Sequence, residues 1–372
     1  MHKSLTQTLS TSLKDHTNLS GARRETLVWL VILFIRQGTV SLWRLAAHVA
    51  SPAKRDSVYR RLVRFFQHVR FDQAVIARLA VHLMGLADKP WELALDRTNW
   101  KFGKAHINIL MLGVVHNGVC VPLHWTILGK AGNSNASERI DLLARMRRIF
   151  PDQKILRLTA DREFIGNEWI GWLQENRIPF VLRLKDNIHV WNEGHACVPL
   201  SRMAGGLKKG EKRTLKGKWR LGQKREESAP AAWIVIMKLK TGALLILFAS
   251  GRPQSALATY RRRWQIETLF SCLKRRGLGL EDTHMTNPEK LSTLLAVLTI
   301  AFCLTFKTGL LAARTTPPPA KNHGFPARAV FAMGLDALRK ILAAARPEQI
   351  KNLFRDLWSV KNSRKPLPVN GF

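Results

Sequence analysis

Cysteine is scarce in this chain, and acids are outnumbered by bases more than two to one. Four cysteines stand among 372 residues, Cys120, Cys197, Cys272 and Cys303, and none belongs to a CxxC pair. That spacing argues against a structural zinc site, and it does not read as a disulfide framework, which fits a reducing cytoplasm. The segment Met1–Leu19 is polar and lacks the apolar stretch of a signal peptide. The two apolar stretches, Leu27–Ile35 and Leu291–Phe306, fall short of a membrane span. The second is interrupted by Ser292, Thr293, Thr299 and Thr305, and both read as buried helices, with no membrane partner expected. No internal repeat is present.

What the chain has is positive charge and enough apolar residues for a core. Lys and Arg number 60 against 26 Asp and Glu, for a formal net charge of +34. Self-repulsion on that scale is relieved by a polyanion, and neutralising phosphates releases counterions. Nucleic acid is the natural partner, although charge alone leaves an RNA-binding or membrane-surface protein open. Apolar residues make up 46%, which excludes a disordered chain. The length allows two or three domains.

Residues 1–88 read as helical, with helices over Ser20–Arg36, Val40–Val49 and Lys54–Val69 and a Ser51-Pro52 turn before the last. That last helix carries Val58, Leu62, Phe65 and Phe66 on one side and Lys54, Arg55, Arg60, Arg61 and Arg64 on the other. A short helix, a turn and a basic helix resemble a helix-turn-helix, though three-helix units with a basic surface also occur without reading bases. Residues 89–310 change character. Strands are expected at Trp91–Asp96, Ile107–Val115 and Val119–Ile127, the last two joined by His116-Asn117-Gly118, where Asn-Gly is a strong hairpin signal. A helix over Ala136–Phe150, a strand Lys154–Ala160, a helix Asn167–Asn176 and a strand Phe180–Leu184 follow. This is an α/β arrangement with a mixed sheet. Residues 186–250 read as a β-rich insertion with strands at Glu211–Leu221, Ala232–Leu239 and Ala243–Ala249. Ser255 is expected to cap a helix from Ala256 to Arg276 that Gly277 ends. Residues 311–372 read as a helical C-terminal segment, with two short amphipathic helices over 327–360 and a basic tail.

Chemistry concentrates at three acids. Asp96 and Asp161 each follow an apolar strand, in LALD and LTAD. Neighbouring strands can hold two such carboxylates close together, and a divalent cation removes their repulsion; taken singly, each also fits a loop-capping role. On the 256–276 helix, Tyr260, Arg263, Glu267 and Lys274 fall within roughly 60° of one another at about 100° per residue. A carboxylate among cations suits a metal ligand near a phosphate, which Arg263 can grip bidentately while Lys274 acts as a point charge and Tyr260 donates a hydrogen bond. A solvated charge face would account for Arg263 and Glu267 alone.

Tyr260-x2-Arg263-x3-Glu267-x6-Lys274 resembles the YREK signature of the insertion-sequence-four family of DDE transposases. Asp96-Arg97-Thr98-Asn99-Trp100 is similar to the family's DxTxW motif, and Asp161-Arg162-Glu163-Phe164 to its DREF motif. The resemblance implies a ribonuclease-H-like catalytic fold with a β-insertion before the last acidic helix. It implies a metal triad of Asp96, Asp161 and Glu267 holding two Mg²⁺ ions, with Mn²⁺ able to substitute, and cut-and-paste movement of a DNA element. The partners implied are double-stranded DNA, at transposon ends and target, and a second copy of the chain, paired through the C-terminal helices. A nucleoid-associated protein of the bacterial cytoplasm is the corresponding expectation. Trp264, beside Arg263, is implied to stack on an extruded base; a core tryptophan is the alternative. Trp191, Trp219 and Trp233 read mainly as packing residues, and His116 and His124 as turn or core histidines. Glu163 is expected to cap or to pair with Arg162. The runs at Lys208-Lys209, Lys212-Arg213, Lys216, Lys218, Arg261–Arg263 and Lys274–Arg276 are expected along DNA backbone. Two rivals stand beside this reading: a DNA-binding regulator without catalysis, and a related Mg²⁺-dependent DNA nuclease that does not join strands.

Overall fold

The apolar stretches from 91 to 184 build one half of a sheet. A computed structural model of the chain describes residues 9–11, 13–14, 17–49, 51–319, 328–344 and 347–358. Strands β1 (Trp91–Phe102), β2 (Ala105–His116) and β3 (Val119–Ile127) run antiparallel in sequence. Asn117 and Gly118 turn the second hairpin with φ of +49° and +86°, the positive values that a two-residue turn between right-twisted strands requires. Helix α5 (Ala136–Ile149) leads to β4 (Ile155–Ala160), and α6 (Asn167–Glu175) leads to β5 (Phe180–Leu184). Both of these strands join parallel, giving the order β3-β2-β1-β4-β5. Three antiparallel strands followed by two parallel ones joined through helices form the mixed sheet of a ribonuclease-H-like core. Strand β1 is longer than its apolar run: it continues through Asp96, which pairs with Met111, to Phe102. Asp96 therefore lies inside a strand and not at its end.

The 186–250 segment extends that same sheet. Its strands are β6 (His189–Asn192), β7 (His195–Pro199), β8 (Lys212–Thr214), β9 (Trp219–Leu221), β10 (Ala231–Lys238) and β11 (Leu244–Ala249), with a short helix α7 (Leu200–Met203) after β7. Strand β11 pairs antiparallel with β5, Ile246 opposite Leu184, and β10 follows it. An open edge of backbone donors and acceptors on β5 is thereby closed. The expected strand 211–221 divides into β8 and β9 around Gly217, whose φ of +76° breaks an extended run.

Helices cover the sheet from both ends of the chain. Helix α1 (Gly21–Gln37) is buried from Thr26 to Ile35, and it precedes α2 (Leu42–Ala46), α3 (Arg55–His68) and α4 (Gln73–Met84). Near the catalytic half lie α8 (Ala256–Arg262) and α9 (Gln265–Leu273), followed by α10 (Pro288–Thr315), α11 (Val330–Ala344) and α12 (Pro347–Trp358). Helix α10 is longer than the sixteen-residue apolar stretch suggested, because a capping Asn287 and Pro288 start it early. By length and composition it could cross a membrane, but 89% of its apolar window is buried inside the protein. It packs on α1, α4, β3 and α11, so the helical segments before and after the sheet share one core. The apolar face of α11, with Phe331, Leu335, Leu338 and Leu342 buried, is spent within the chain and is not free for a second copy. The expected basic tail lies outside the described residues.

Two glycines permit the α10–α11 crossing. A Cβ on Gly334 would collide with the Thr305 carbonyl and come within 2.6 Å of the Gly309 nitrogen. A Cβ on Gly309 would collide with the Val330 carbonyl. Gly334→Ala should lower thermal stability by about 1–3 kcal/mol even though alanine is the better helix former. Differential scanning fluorimetry checks this, and limited proteolysis should show earlier release of the segment after 316.

Candidate active site

Strand register brings the first two acids side by side. Leu95 pairs with Ala160 at the end of the parallel β1–β4 ladder, where strands lie about 4.8 Å apart, so Asp96, the next residue of β1, and Asp161, the first residue past β4, follow from neighbouring positions. Each carboxylate accepts a 2.8 Å hydrogen bond from the following backbone N–H, Arg97 for Asp96 and Arg162 for Asp161.

The third acid arrives on a segment that is not the single helix expected over 256–276. A 3-10 turn at Pro253–Ser255 precedes α8, and the Ser255 hydroxyl bonds the Arg252 carbonyl and does not cap. Between α8 and α9, Arg263 and Trp264 form a tightened turn with three-residue bonds, Arg263 N–H to Tyr260 at 3.0 Å and Ile266 N–H to Arg263 at 3.0 Å. The break turns Arg263 inward, 4% exposed, and leaves Trp264 outward, 53% exposed. Trp264 is thus not a core residue.

Tyr260, Arg263 and Glu267 do converge on the aspartates. The Arg263 Nη1 lies 2.7 Å from Asp96 Oδ2 and 3.5 Å from Glu267 Oε1, so those two oxygens are no further apart than the two contacts laid end to end. The Tyr260 hydroxyl donates to Asp161 Oδ1 at 3.0 Å, and Arg183 Nη1 stands 3.5 Å from the same oxygen. Lys274 does not share this face. Helix α9 stops at Leu273, Lys274 turns away with ψ of −117°, and its Nζ meets Glu281 at 2.9 Å and the Asn99 carbonyl at 3.3 Å.

Burial and charge treat the two aspartates differently. Asp96 is 8% exposed, and burial pushes its carboxyl up to about 7. Arg263 and the Arg97 N–H pull it down, while Glu267 and Asp161 add to the rise. The short contact with Arg263 and the raised value point in opposite directions; desolvation prevails because a single guanidinium is shared among several anions. Burial also works against Asp161, but the Arg162 N–H, Arg263, Tyr260 and Arg183 outweigh it and hold this carboxyl below its usual range.

Further residues that sequence reasoning did not assign brace the site. Glu163 pairs with Arg97 through two bonds of 2.9 and 3.2 Å, not with Arg162. Arg97 also reaches Asn108 at 3.1 Å, and Arg139 donates to the Glu163 and Ile165 carbonyls while its guanidinium lies over the fully buried Phe164. This pins the loop carrying Asp161. Arg183 was the legible one, a lone charge within the apolar strand FVLRL.

The donor set is all carboxylate oxygen, which suits a hard divalent cation. Among the described residues no three acid, histidine or cysteine side chains stand grouped as a metal cage, because the Arg263 guanidinium lies between Asp96 and Glu267. A cation thus already stands between these two carboxylates, whose oxygen donors are of the kind a divalent ion takes.

On the helix-turn-helix-like unit, Lys54, Arg55, Arg60 and Arg64 are exposed. Arg55 stacks on Trp43 at 4.0 Å, and Arg61 is turned inward to Glu25 at 2.7 Å and over Trp29. Arg262 is likewise occupied, bonding Glu92 at 2.6 and 2.8 Å, whereas Arg261, Arg275, Arg276 and the lysines of 208–218 face solvent. Trp191 and Trp219 are buried packing residues, and Trp233 is half-buried. His124 is buried and His116 half-buried, and burial pulls both imidazoles down to about 4.

The raised Asp96 carboxyl gives a signed pH dependence. The folded state holds its proton where the unfolded chain has lost it, so the stability contributed is fully present below the ordinary value near 3.8 and is lost as pH rises through about 7. In Asp96→Asn this loss is absent. The melting temperature of Asp96→Asn minus that of the wild type, both metal-free, should therefore increase from pH 5 to pH 8. A flat or falling difference would contradict the assignment.

Comparison with known proteins identifies the family. The chain is similar to a piggyBac transposase in a cryo-EM structure of a synaptic complex with hairpin DNA, with 13% identity over 98% of this chain and 84% of that one and a TM-score of 0.46. No curated protein matches. A family model described as "Transposase DDE domain" matches residues 87–304, more than half of the chain and all three acids with the elements that carry them, and the chain belongs to that family.

Proposed function

We propose that this DNA transposase binds the inverted-repeat ends of an insertion sequence, cuts them with divalent metal ions and joins the freed 3′-OH ends to target DNA. The observation that carries the reading is the meeting of Asp96 and Glu267 on one Arg263 nitrogen, beside Asp161 and Tyr260. Asp96, Asp161 and Glu267 would hold two Mg²⁺ ions, with Mn²⁺ as substitute. When bound, such ions supply Lewis-acid stabilisation to the attacking and leaving oxygens of an in-line displacement. The spacing of Tyr260, Arg263, Glu267 and Lys274 supports membership of the insertion-sequence-four group.

The chain's own residues then have distinct tasks. Asp161 is already ionised and oriented by Tyr260 and Arg183. Asp96 would meet the ion with the carboxylate oxygen that Arg263 now holds. Arg263 and Tyr260 grip the phosphate flanking the cut, and Lys274 joins them once released from Glu281. Trp264, exposed beside Arg263, offers a stacking face to an unpaired base. Water attacks the phosphorus and releases a 3′-OH. In strand transfer that 3′ oxygen bonds to a target phosphorus, and the target's own 3′ oxygen leaves with the proton. Lys54, Arg55, Arg60 and Arg64 present the charge that holds the duplex, with Arg61 keeping α3 in place. Two element ends call for two copies of the chain, related most simply by a twofold axis.

Incubating the protein with supercoiled plasmid carrying the DNA that flanks its coding sequence tests this. Nicking should require Mg²⁺ or Mn²⁺, should fall by at least about 100-fold in Asp161→Ala, and a pre-cleaved 3′-OH duplex should be joined to the plasmid. Binding without cutting in either protein would favour the regulator; cutting without joining would favour the nuclease.

A further inference from the structure

Arg263 is held in an incomplete set of contacts. Its guanidinium is 4% exposed, with Nη1 on Asp96 and Glu267, yet its Nε is buried with no hydrogen-bond partner. An unmet donor beside a charge-assisted contact is costly. The arrangement therefore favours a state in which a better acceptor reaches the guanidinium. A phosphodiester fits, because its two free oxygens match the guanidinium fork. Arg263 and Trp264 form a tightened turn between α8 and α9, held by three-residue bonds, and Trp264 beside the guanidinium is open to solvent.

We infer that Arg263 is an internal counter-ion that stands where a divalent cation would go, and that a DNA phosphate draws it out. This rests on Asp96 and Glu267 being ion ligands, as proposed above. Before DNA arrives the guanidinium keeps the carboxylates together and competes with ions for them. When a phosphodiester takes the guanidinium, the same oxygens become available. Ion binding and DNA binding are then positively coupled, and reciprocally so. Arg263 is a positioning residue in this role, and the coupling keeps a nuclease centre poorly loaded until substrate is present.

The test is Mn²⁺ affinity, read from the electron paramagnetic resonance signal of free Mn²⁺, on the full chain. Wild type, Arg263→Gln and an Asp161→Asn/Glu267→Gln double variant are each titrated alone and with a short duplex. The double variant supplies the background of Mn²⁺ held by the duplex itself. The expected result is that Arg263→Gln binds Mn²⁺ about tenfold tighter than wild type without DNA. The duplex should raise wild-type affinity by a similar factor and leave Arg263→Gln nearly unchanged. If Arg263→Gln fails to fold, the wild-type arm alone decides, since an unchanged affinity with duplex overturns the coupling. Equal affinities of wild type and Arg263→Gln, lost in the double variant, would overturn the counter-ion role and leave the metal triad standing. Binding that the double variant retains, or no binding in any protein, would overturn both.

Discussion

A carboxylate buried inside a β-strand must be met by a cation or surrender its charge. Asp96 sits in that position, inside β1, paired with Met111 of β2 and one residue past the end of the ladder with β4. Arg263 is the cation that meets it among the described residues, beside the Arg97 N–H, and it shares that guanidinium with Glu267. The rest of the site can be understood from this constraint. The arrangement leaves the Arg263 Nε unmet while its Nη1 is shared between two acids, which is the balance the proposed metal-dependent centre needs.

The fold holds the constraint in place from three directions. The parallel β1–β4 register sets Asp161 next to Asp96, and the Arg97–Glu163 pair with Arg139 fixes the loop that follows. Helix α9 packs on β1, β2 and β3 and so delivers Glu267 from the far side of a long excursion in sequence. That excursion costs little order at the site because its strands continue the sheet from β5 outward. The buried α10 backs this assembly, and its crossing with α11 ties the C-terminal helices to the same core.

Much of this was legible in the residues, for identifiable reasons. Apolar runs ending in LALD and LTAD mark strands that hand an acid to a crevice, and Asn117-Gly118 marks a turn whose positive φ values few residues adopt. What was not legible depended on contacts between distant segments. Periodicity over 256–276 describes a straight helix, but it does not register the tightened turn at Arg263 and Trp264, nor the stop of α9 at Leu273 that takes Lys274 off the line. β1 runs past Asp96 to Phe102 in its pairing with β2, and the arginine that meets the buried acid comes from far along the chain, with no local signature. Glu163, in the turn after β4, meets Arg97 of the neighbouring strand β1 and not its sequence neighbour Arg162, a contact set by the sheet and not by adjacency in sequence. The insertion was recognised as β-rich, yet its edge-pairing with β5 could be known only from the sheet.

The central claim is that three acids distant in sequence form one ion-binding centre whose present occupant is a guanidinium. Anomalous diffraction from crystals of the protein with Mn²⁺ and a short duplex addresses it most directly. The account predicts Mn²⁺ peaks bounded by the carboxylates of Asp96, Asp161 and Glu267, with the Arg263 guanidinium displaced onto a phosphate. Peaks elsewhere, or an ion at Asp161 alone with Arg263 still seated between Asp96 and Glu267, would contradict it.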